Sequence, residues 1–226
     1  MTLLKTQNLT KRYMYDKHSY EIGVENISIS INEGEIVAIR GRSGSGKSTL
    51  LNLLGGIDKP SGGRYYFLDH EVSKMSSSQL SLFRLHHIGF IFQDFHLMRE
   101  RSVIDNVCLP LLYAGLTLEE AKEKAKVLVK AVNLSHYEDK MTKHLSGGQR
   151  QRVAVARSLA NSPKMILADE PTGNLDETNS HAVFSFLKEI NHLYNTTLVI
   201  ATHDNISHHY ANRTIHMHDG HLQEKN

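Results

Sequence analysis

The chain has 226 residues, with 26 Lys and Arg against 24 Asp and Glu and a formal net charge of +2. It has room for one large domain and lacks the basic excess expected of a nucleic-acid-binding protein, so no nucleic-acid partner is expected. Its single cysteine, Cys108, excludes an internal disulfide and suits a reducing compartment. The first residues hold no apolar core of signal-peptide length, and no run approaches the ~20 apolar residues of a membrane span. The expectation is a soluble, cytoplasmic protein unless a partner holds it at a membrane.

Residues 3–40 read as β structure. In Asn26-Ile27-Ser28-Ile29-Ser30-Ile31-Asn32 apolar and polar residues alternate, which predicts one half-buried strand closed by a turn at Glu33-Gly34. Tyr13 lies between this strand and an earlier one; an aromatic there can stack on a base or simply pack. The apolar run Glu35-Ile36-Val37-Ala38-Ile39 predicts a buried strand. Directly after it, Gly41-Arg42-Ser43-Gly44-Ser45-Gly46-Lys47-Ser48-Thr49 matches G-x-x-x-x-G-K-[ST] at every fixed position. The apolar stretch that follows, to Leu54, predicts a helix, so strand, glycine turn and helix are in the order that this motif requires. Gly44 and Gly46 let successive N–H groups face one concavity, to which the helix start adds positive partial charge. Lys47 offers a cation to the outer phosphates and Ser48 a hydroxyl to Mg2+. These residues make a nucleotide site.

Residues 58–63 are a turn cluster, residues 64–68 a strand and residues 78–86 a short helix. Residues 88–92 form an apolar strand that ends at Gln93, whose amide can reach a metal or water, or cap the strand end. Residues 94–140 differ in kind and are expected to form a helical subdomain inserted in a core of residues 1–93 and 141–226. Residues 94–98 have no clear period. Thr117 and Glu120 fit a capping box, opening a helix to about Val132 with Leu118, Ala121, Ala125, Leu128, Val129 and Val132 on its apolar face.

The stretch His144-Leu145-Ser146-Gly147-Gly148-Gln149 precedes another helical run. Ser146 and Gln149 have capping-box spacing, but two adjacent glycines lower helix propensity where a cap should support it. Glycines at a helix start also let a phosphate approach backbone N–H groups, and a second such site is redundant beside the first loop. Residues 164–168 predict a buried strand ending in Asp169 and Glu170. One carboxylate there can hold magnesium; the next can orient or deprotonate an attacking water. Asn174-Leu175-Asp176 lies in a loop, residues 178–193 form a helix, and residues 196–201 form a strand that leads to His203. A ring nitrogen of His203 can bond a terminal phosphate. The later histidines (His208, His209, His216, His218 and His221) match no zinc spacing and have no cysteine beside them.

In this order the segments resemble the nucleotide-binding domain of an ATP-binding cassette (ABC) transporter over nearly the whole chain. Gly41 to Thr49 corresponds to Walker A, Gln93 to the glutamine loop, Leu145 to Gln149 to the family signature, and Met165 to Glu170 to Walker B with its glutamate. Asn174-Leu175-Asp176 corresponds to the D loop and His203 to the switch histidine. The wording is most similar to the lipoprotein-release and macrolide-export ATPases (LolD and MacB types), with the cell-division type near them. Arg42 stands where proline is frequent, and Arg99-Glu100-Arg101 is unusually charged for its place.

The resemblance implies an α/β P-loop NTPase core of ABC ATPase type, with an N-terminal antiparallel β region and an inserted α-helical subdomain. It implies an ATPase using ATP and Mg2+, with Tyr13 on adenine, residues 41–49 on the phosphates, and Ser48, Gln93 and Asp169 on the metal. Glu170 and His203 would be catalytic. ATP binding would form a head-to-tail homodimer in which Ser146, Gly147 and Gly148 act across the interface, with Gln149 and Asp176 also among the nucleotide-binding residues. A membrane permease would engage residues 94–140 and hold the chain on the inner face of the membrane. The rival reading is a division-linked ATPase that signals through a membrane protein without transport.

Overall fold

The computed structural model describes residues 1–16, 19–173 and 176–223. Strands β1 (Thr2–Met14) and β2 (Tyr20–Ile27) form a hairpin, and β3 (Ser30–Asn32) returns to β1. Strand β4 (Ile36–Arg40) leads through the glycine-rich loop into α1 (Lys47–Leu54). Then come β5 (Gly62–Phe67), β6 (His70–Glu71), α2 (Ser77–His87) and β7 (Ile88–Ile91). Helices α3 (Val103–Tyr113), α4 (Leu118–Ala131) and α5 (Gly147–Leu159) precede β8 (Met165–Asp169). Helix α6 (Glu177–Tyr194) and strands β9 (Thr197–Thr202), β10 (Arg213–His218) and β11 (His221–Gln223) follow.

Among the described residues the strands form two sheets. One is antiparallel, ordered β2-β1-β5-β6 with β3 also on β1. The other is ordered β11-β10-β4-β9-β8-β7 and is parallel except for the edge strand β11. A parallel sheet is covered on both faces, so its central strands β4, β8 and β9 are apolar at most positions. Successive side chains still point to opposite faces. Ile36, Ile166, Ala168, Leu198 and Ile200 enter a core shared with α3 to α6. Their neighbours Val37, Ile39, Met165, Leu167, Val199 and Ala201 enter a second core under the antiparallel sheet and α1. Full burial of each such large side chain contributes about 1.5–3 kcal/mol before entropy is counted. This is the expected α/β architecture, with its antiparallel β region and its helical layer.

The alternating stretch at residues 26–32 is two strands rather than one. Asn26 is left-handed at φ 54°, and β2 ends at Ile27. The chain stays on the edge of β1 opposite β5, but its pairing slips by one residue between Leu9–Ile27 and Lys5–Ser30. The Thr6 hydroxyl, 2% exposed, spans the gap by donating to the Ile27 carbonyl (2.9 Å) and accepting from the Ile29 N–H (3.0 Å). Period alone could not locate this break, because the alternation continues through it. Tyr13, expected between strands, lies within β1.

Helix α3 was not expected. It buries Val103, Ile104, Asn106, Val107, Cys108 and Leu111 on one side, but Leu109, Leu112 and Tyr113 make much of its other side apolar too, so no helical period shows. Cys108 is 1% exposed, and burial pushes its thiol above the usual range, in keeping with a small hydrophobe. The capping box opening α4 is formed: Thr117 Oγ1 accepts from the Glu120 N–H, and the Glu120 carboxylate accepts from the Thr117 N–H. Leu118, placed on the apolar face by its spacing, is exposed; Ala121, Ala125, Leu128, Val129 and Val132 are buried.

Replacing Thr6 by the isosteric Val should strand a buried carbonyl and an N–H together. Urea unfolding should show a loss of about 1–3 kcal/mol; an unchanged midpoint would mean that the hydroxyl does not hold the break between the two strands.

Candidate functional site

The site lies where the parallel strands end. Pairing aligns Arg40 of β4 with Thr202 of β9, and Asp169 of β8 with Ala201 of β9. The residues just beyond these ends therefore meet: Gly41 after β4, Glu170 after β8 and His203 after β9. Gln93 follows β7, beside β8. In an open α/β sheet this carboxyl edge is where ligands bind.

The loop between β4 and α1 is shaped by glycine. Gly46, the N-cap of α1, has φ 96°, and a Cβ there would lie 2.3 Å from the Gly23 carbonyl of β2. Gly44 is also left-handed, at φ 78°. No acidic side chain occupies the first turn of α1, so its free N–H groups and positive end are available to an anion. Arg42, Ser43 and Ser48 are exposed and Thr49 is half-buried. Ser45 is turned inward; its hydroxyl is buried and has no hydrogen-bond partner among the described residues, so it offers the site only its backbone.

Lys47 is 6% exposed, and its ammonium donates to the Gly41 (2.9 Å) and Arg42 (3.1 Å) carbonyls. It also lies 3.3 Å from Glu170 Oε1. The other carboxylate oxygen, Oε2, lies 2.9 Å from His203 Nδ1 and accepts from the His203 N–H at 3.2 Å. Glu170 thus bridges the loop lysine and the histidine. It sits in the left-handed region at φ 46°, its N–H bonded to the Ala201 carbonyl at 2.8 Å. A non-glycine residue pays about 1–2 kcal/mol for that conformation, a strain typical of functional turns.

Asp169 is different. Burial pushes its carboxyl above the usual carboxylate range, partly opposed by a hydrogen bond from Ser48. Its Oδ1 is buried and has no hydrogen-bond partner among the described residues. An orphaned carboxylate oxygen beside a hydroxyl, with an amide at Gln93 nearby, is a donor set suited to a hard divalent cation.

A cavity of about 740 Å³ joins the loop to the strand ends, with Tyr13, Gly23, Lys47, Ser48, Gln93, Glu170 and His203 in its wall; Asp169 does not line it. The structure therefore brings together most of the residues expected at the nucleotide. It also adds Glu21, Ile22 and Gly23 of β2, which sequence reasoning missed. They reach the loop only because the hairpin folds over it, and no local motif announces that.

Ser146, Gly147, Gly148 and Gln149 are not in this cavity. Ser146 and Gly147 border another, of about 450 Å³, with Asn179 and Phe186. The capping box that two glycines argued against is present: Ser146 Oγ accepts from the Gln149 N–H (3.3 Å), and Gln149 Oε1 accepts from the Ser146 N–H (3.0 Å). A Cβ on Gly147 or Gly148 would meet nothing within 4 Å among the described residues, and none of these requires glycine at either position. Asp176 is also outside the nucleotide cavity. It caps α6, accepting from the Asn179 N–H (2.9 Å) and Nδ2 (2.8 Å), and these bonds hold its carboxyl below the usual range. Asn174 and Leu175, which precede it in the D-loop stretch, lie outside the described residues. Among the described residues no group of three His, Cys, Asp or Glu is placed to hold a metal ion by itself.

Comparison with known proteins agrees with this geometry. The family described as "ABC transporter" matches residues 24–173. The lipoprotein-releasing system ATP-binding protein LolD of Blochmanniella floridana is 46% identical over 202 residues, covering 89% of this chain and 86% of that protein. The macrolide export ATP-binding/permease protein MacB of Rhodopirellula baltica is 42% identical over 224 residues, covering 98% of this chain but only 33% of that longer protein. Among solved structures, the ATP-binding cassette MJ0796, a dimer bound to ADP and Pi after hydrolysis, has a TM-score of 0.88 and 36% identity, covering 99% of this chain and 98% of that one. The cassette cbiO1 from Clostridium perfringens, part of the cbiONQ transporter complex, has a TM-score of 0.87 and 32% identity, covering 99% of this chain and 87% of that one. A phosphate loop, strand-end carboxylates and likeness along the whole chain converge, and the protein belongs to the ABC transporter family as an ATP-binding, ATP-hydrolysing subunit of the LolD/MacB type.

Proposed function

We propose that ATP lies with its phosphates in the loop of residues 41–49 and its adenine on Tyr13, and that Glu170 takes the proton of the attacking water. The observation that carries this reading is the position of Glu170, bridged between Lys47 and His203 at the mouth of the loop. A terminal phosphate would draw Lys47 to itself, freeing one carboxylate oxygen to accept a proton. His203, exposed at the same point, would donate to a phosphate oxygen and report its presence. Mg2+ held by Ser48, Asp169 and Gln93 would supply charge neutralisation between the outer phosphates.

The dimeric cassettes among the relatives support a second element. Ser146, Gly147, Gly148 and Gln149 would close over the ATP held by another copy, with Asp176 lying along the same interface. The open space at both glycines and the free N–H groups at the start of α5 favour a ligand that comes from outside the chain.

Such subunits work with membrane permease components. Among the described residues no helix is long and apolar enough to cross a membrane. We infer that the chain sits on the inner face of the cell membrane through its permease, with residues 94–140 as the inserted helical subdomain that meets it. The names of its relatives, a lipoprotein-releasing system and a macrolide exporter, favour efflux or the extrusion of a lipoprotein or peptide, with the permease choosing the substrate.

Glu170→Gln should keep nucleotide affinity while turnover falls by about 10²–10⁴-fold, the worth of a general base. Lys47→Ala should weaken ATP binding itself. Equal losses of affinity in the two variants, measured by equilibrium binding, would contradict these roles.

Asp169→Asn should raise the thermal midpoint of the protein without nucleotide, since it removes a buried, uncompensated charge. The sign follows from a carboxyl raised on folding. The penalty is absent in acid, sets in as pH passes the ordinary carboxylate value, and is complete above the raised one. The gain should therefore be present at neutral pH and vanish in acid. The same variant should lose the extra stabilisation that Mg2+ adds to ATP, and retention of that difference would remove Asp169 from the metal site.

With hydrolysis blocked by Glu170→Gln, ATP should promote an interchain disulfide between Cys introduced at Ser43 of one copy and at Ser146 of the other. Only intrachain products, or none, would refute the composite site.

A further inference from the structure

The hairpin above the phosphate loop carries three tyrosines near one another, Tyr13, Tyr15 and Tyr20. They are held in different ways. Tyr15 is exposed and its hydroxyl bonds Glu21, while Tyr20 lies under the Arg12 guanidinium, 4.9 Å from its ring centre. Both sets of contacts stay within the hairpin. Tyr13 alone of the three is tied to the helix that begins at the phosphate loop.

Its hydroxyl donates to Asp58 Oδ2 at 2.8 Å and also meets the Thr49 hydroxyl. Thr49 is in the first turn of α1, and Asp58 is in the turn that closes it, with its N–H bonded to the Asn52 carbonyl at 3.1 Å. The second carboxylate oxygen of Asp58 pairs with Lys11 Nζ at 3.7 Å. That ammonium donates to the Lys59 carbonyl at 3.0 Å and stands 5.0 Å from the centre of the Tyr13 ring. The ring edge is closed by β2: a Cβ on Gly23 would lie 2.8 Å from Tyr13 Cε2 and 2.7 Å from Thr49 Cγ2. The phenol is therefore fixed at its hydroxyl, along its edge and by a cation, while the ring lines the nucleotide cavity.

We infer that Asp58 is a positioning residue for nucleotide-base recognition: through the Tyr13 hydroxyl it locks the ring to the phosphate-loop helix and so sets the distance between base platform and phosphate cradle. The inference rests on the reading of Tyr13 as the base platform. A stacking surface helps most when its ring is ordered before the ligand arrives, because immobilising a loose side chain on binding costs affinity. Here one carboxylate orders the aromatic and its flanking lysine together. Asp58 touches neither base nor phosphate in this scheme and acts only through Tyr13.

The test compares Asp58→Ala, Asp58→Asn, Tyr13→Phe, Tyr13→Ala and the double variant Asp58→Ala/Tyr13→Phe on the full chain. Binding of ATP and of inorganic tripolyphosphate, which has no base, is measured by titration calorimetry, and turnover is measured with the permease present. Asp58→Ala should weaken ATP about three- to tenfold, the worth of one immobilised side chain. It should raise KM with little change in kcat and leave tripolyphosphate unaffected. Tyr13→Phe should do the same, and the double variant should be no weaker than either single one, because the carboxylate has nothing left to hold. Asp58→Asn, which keeps an acceptor for the hydroxyl, should restore most of the affinity.

An equal loss for tripolyphosphate, or a second full loss on adding Asp58→Ala to Tyr13→Phe, would overturn the inference and give Asp58 a role in the helix or fold instead. If Tyr13→Ala leaves ATP affinity unchanged, the base-platform reading itself fails. If Tyr13→Ala weakens ATP while Asp58→Ala does not, only the role of Asp58 fails.

Discussion

The structure depends on the register of its parallel strands. Strands β4, β9, β8 and β7 lie side by side and run the same way, so their carboxyl ends reach one edge of the sheet together. The phosphate loop, two carboxylates, a histidine and a glutamine come from positions 41–203 of the chain, yet they meet because each follows directly on one of those strands. Burial on both faces enforces this register: a one-residue slip would exchange the two sets of side chains between the two cores. Packing energy in the sheet is thus the source of geometric precision in the site.

Charge at that edge is arranged in two ways. The Lys47 ammonium is almost wholly removed from water, which would be costly without partners. Two carbonyls and the Glu170 carboxylate satisfy it, and the second oxygen of Glu170 is taken by His203. Asp169 is left short, with one oxygen buried and unpaired and its carboxyl pushed up by desolvation. A fully satisfied triad stands beside an incomplete carboxylate. The first suits a group that must exchange partners during a reaction. The second suits a site that waits for a cation, and such a site reduces stability for the sake of function.

The start of α5 is instructive about how local rules combine. Glycines at positions 147 and 148 argue against a helix cap by propensity, and Ser146 with Gln149 argues for one by spacing. The cap forms, and the glycines leave open space over the helix start. The two readings are compatible because the cap uses the side chains of Ser146 and Gln149, while a ligand would use the N–H groups left free beneath the missing side chains. A conflict in sequence between propensity and capping marks a place where two demands are met at once.

Short-range patterns in the sequence determined a great deal: the buried strands, the phosphate loop between strand and helix, the helix cap at Thr117, and the family wording from Walker A to the switch histidine. Each depends on neighbours a few residues apart, and their physics is visible in one dimension. Tertiary structure decided the rest. Helix α3 escaped because apolar residues on its exposed side erased its period, and the break between β2 and β3 escaped because the alternation ran on unbroken across the slip of register that Thr6 spans. The grip of Asp58 and Lys11 on Tyr13, and the bridge from Lys47 through Glu170 to His203, join residues far apart in the chain. No local signal encodes these contacts, because they exist only after the sheet has closed and fixed the distances between its ends.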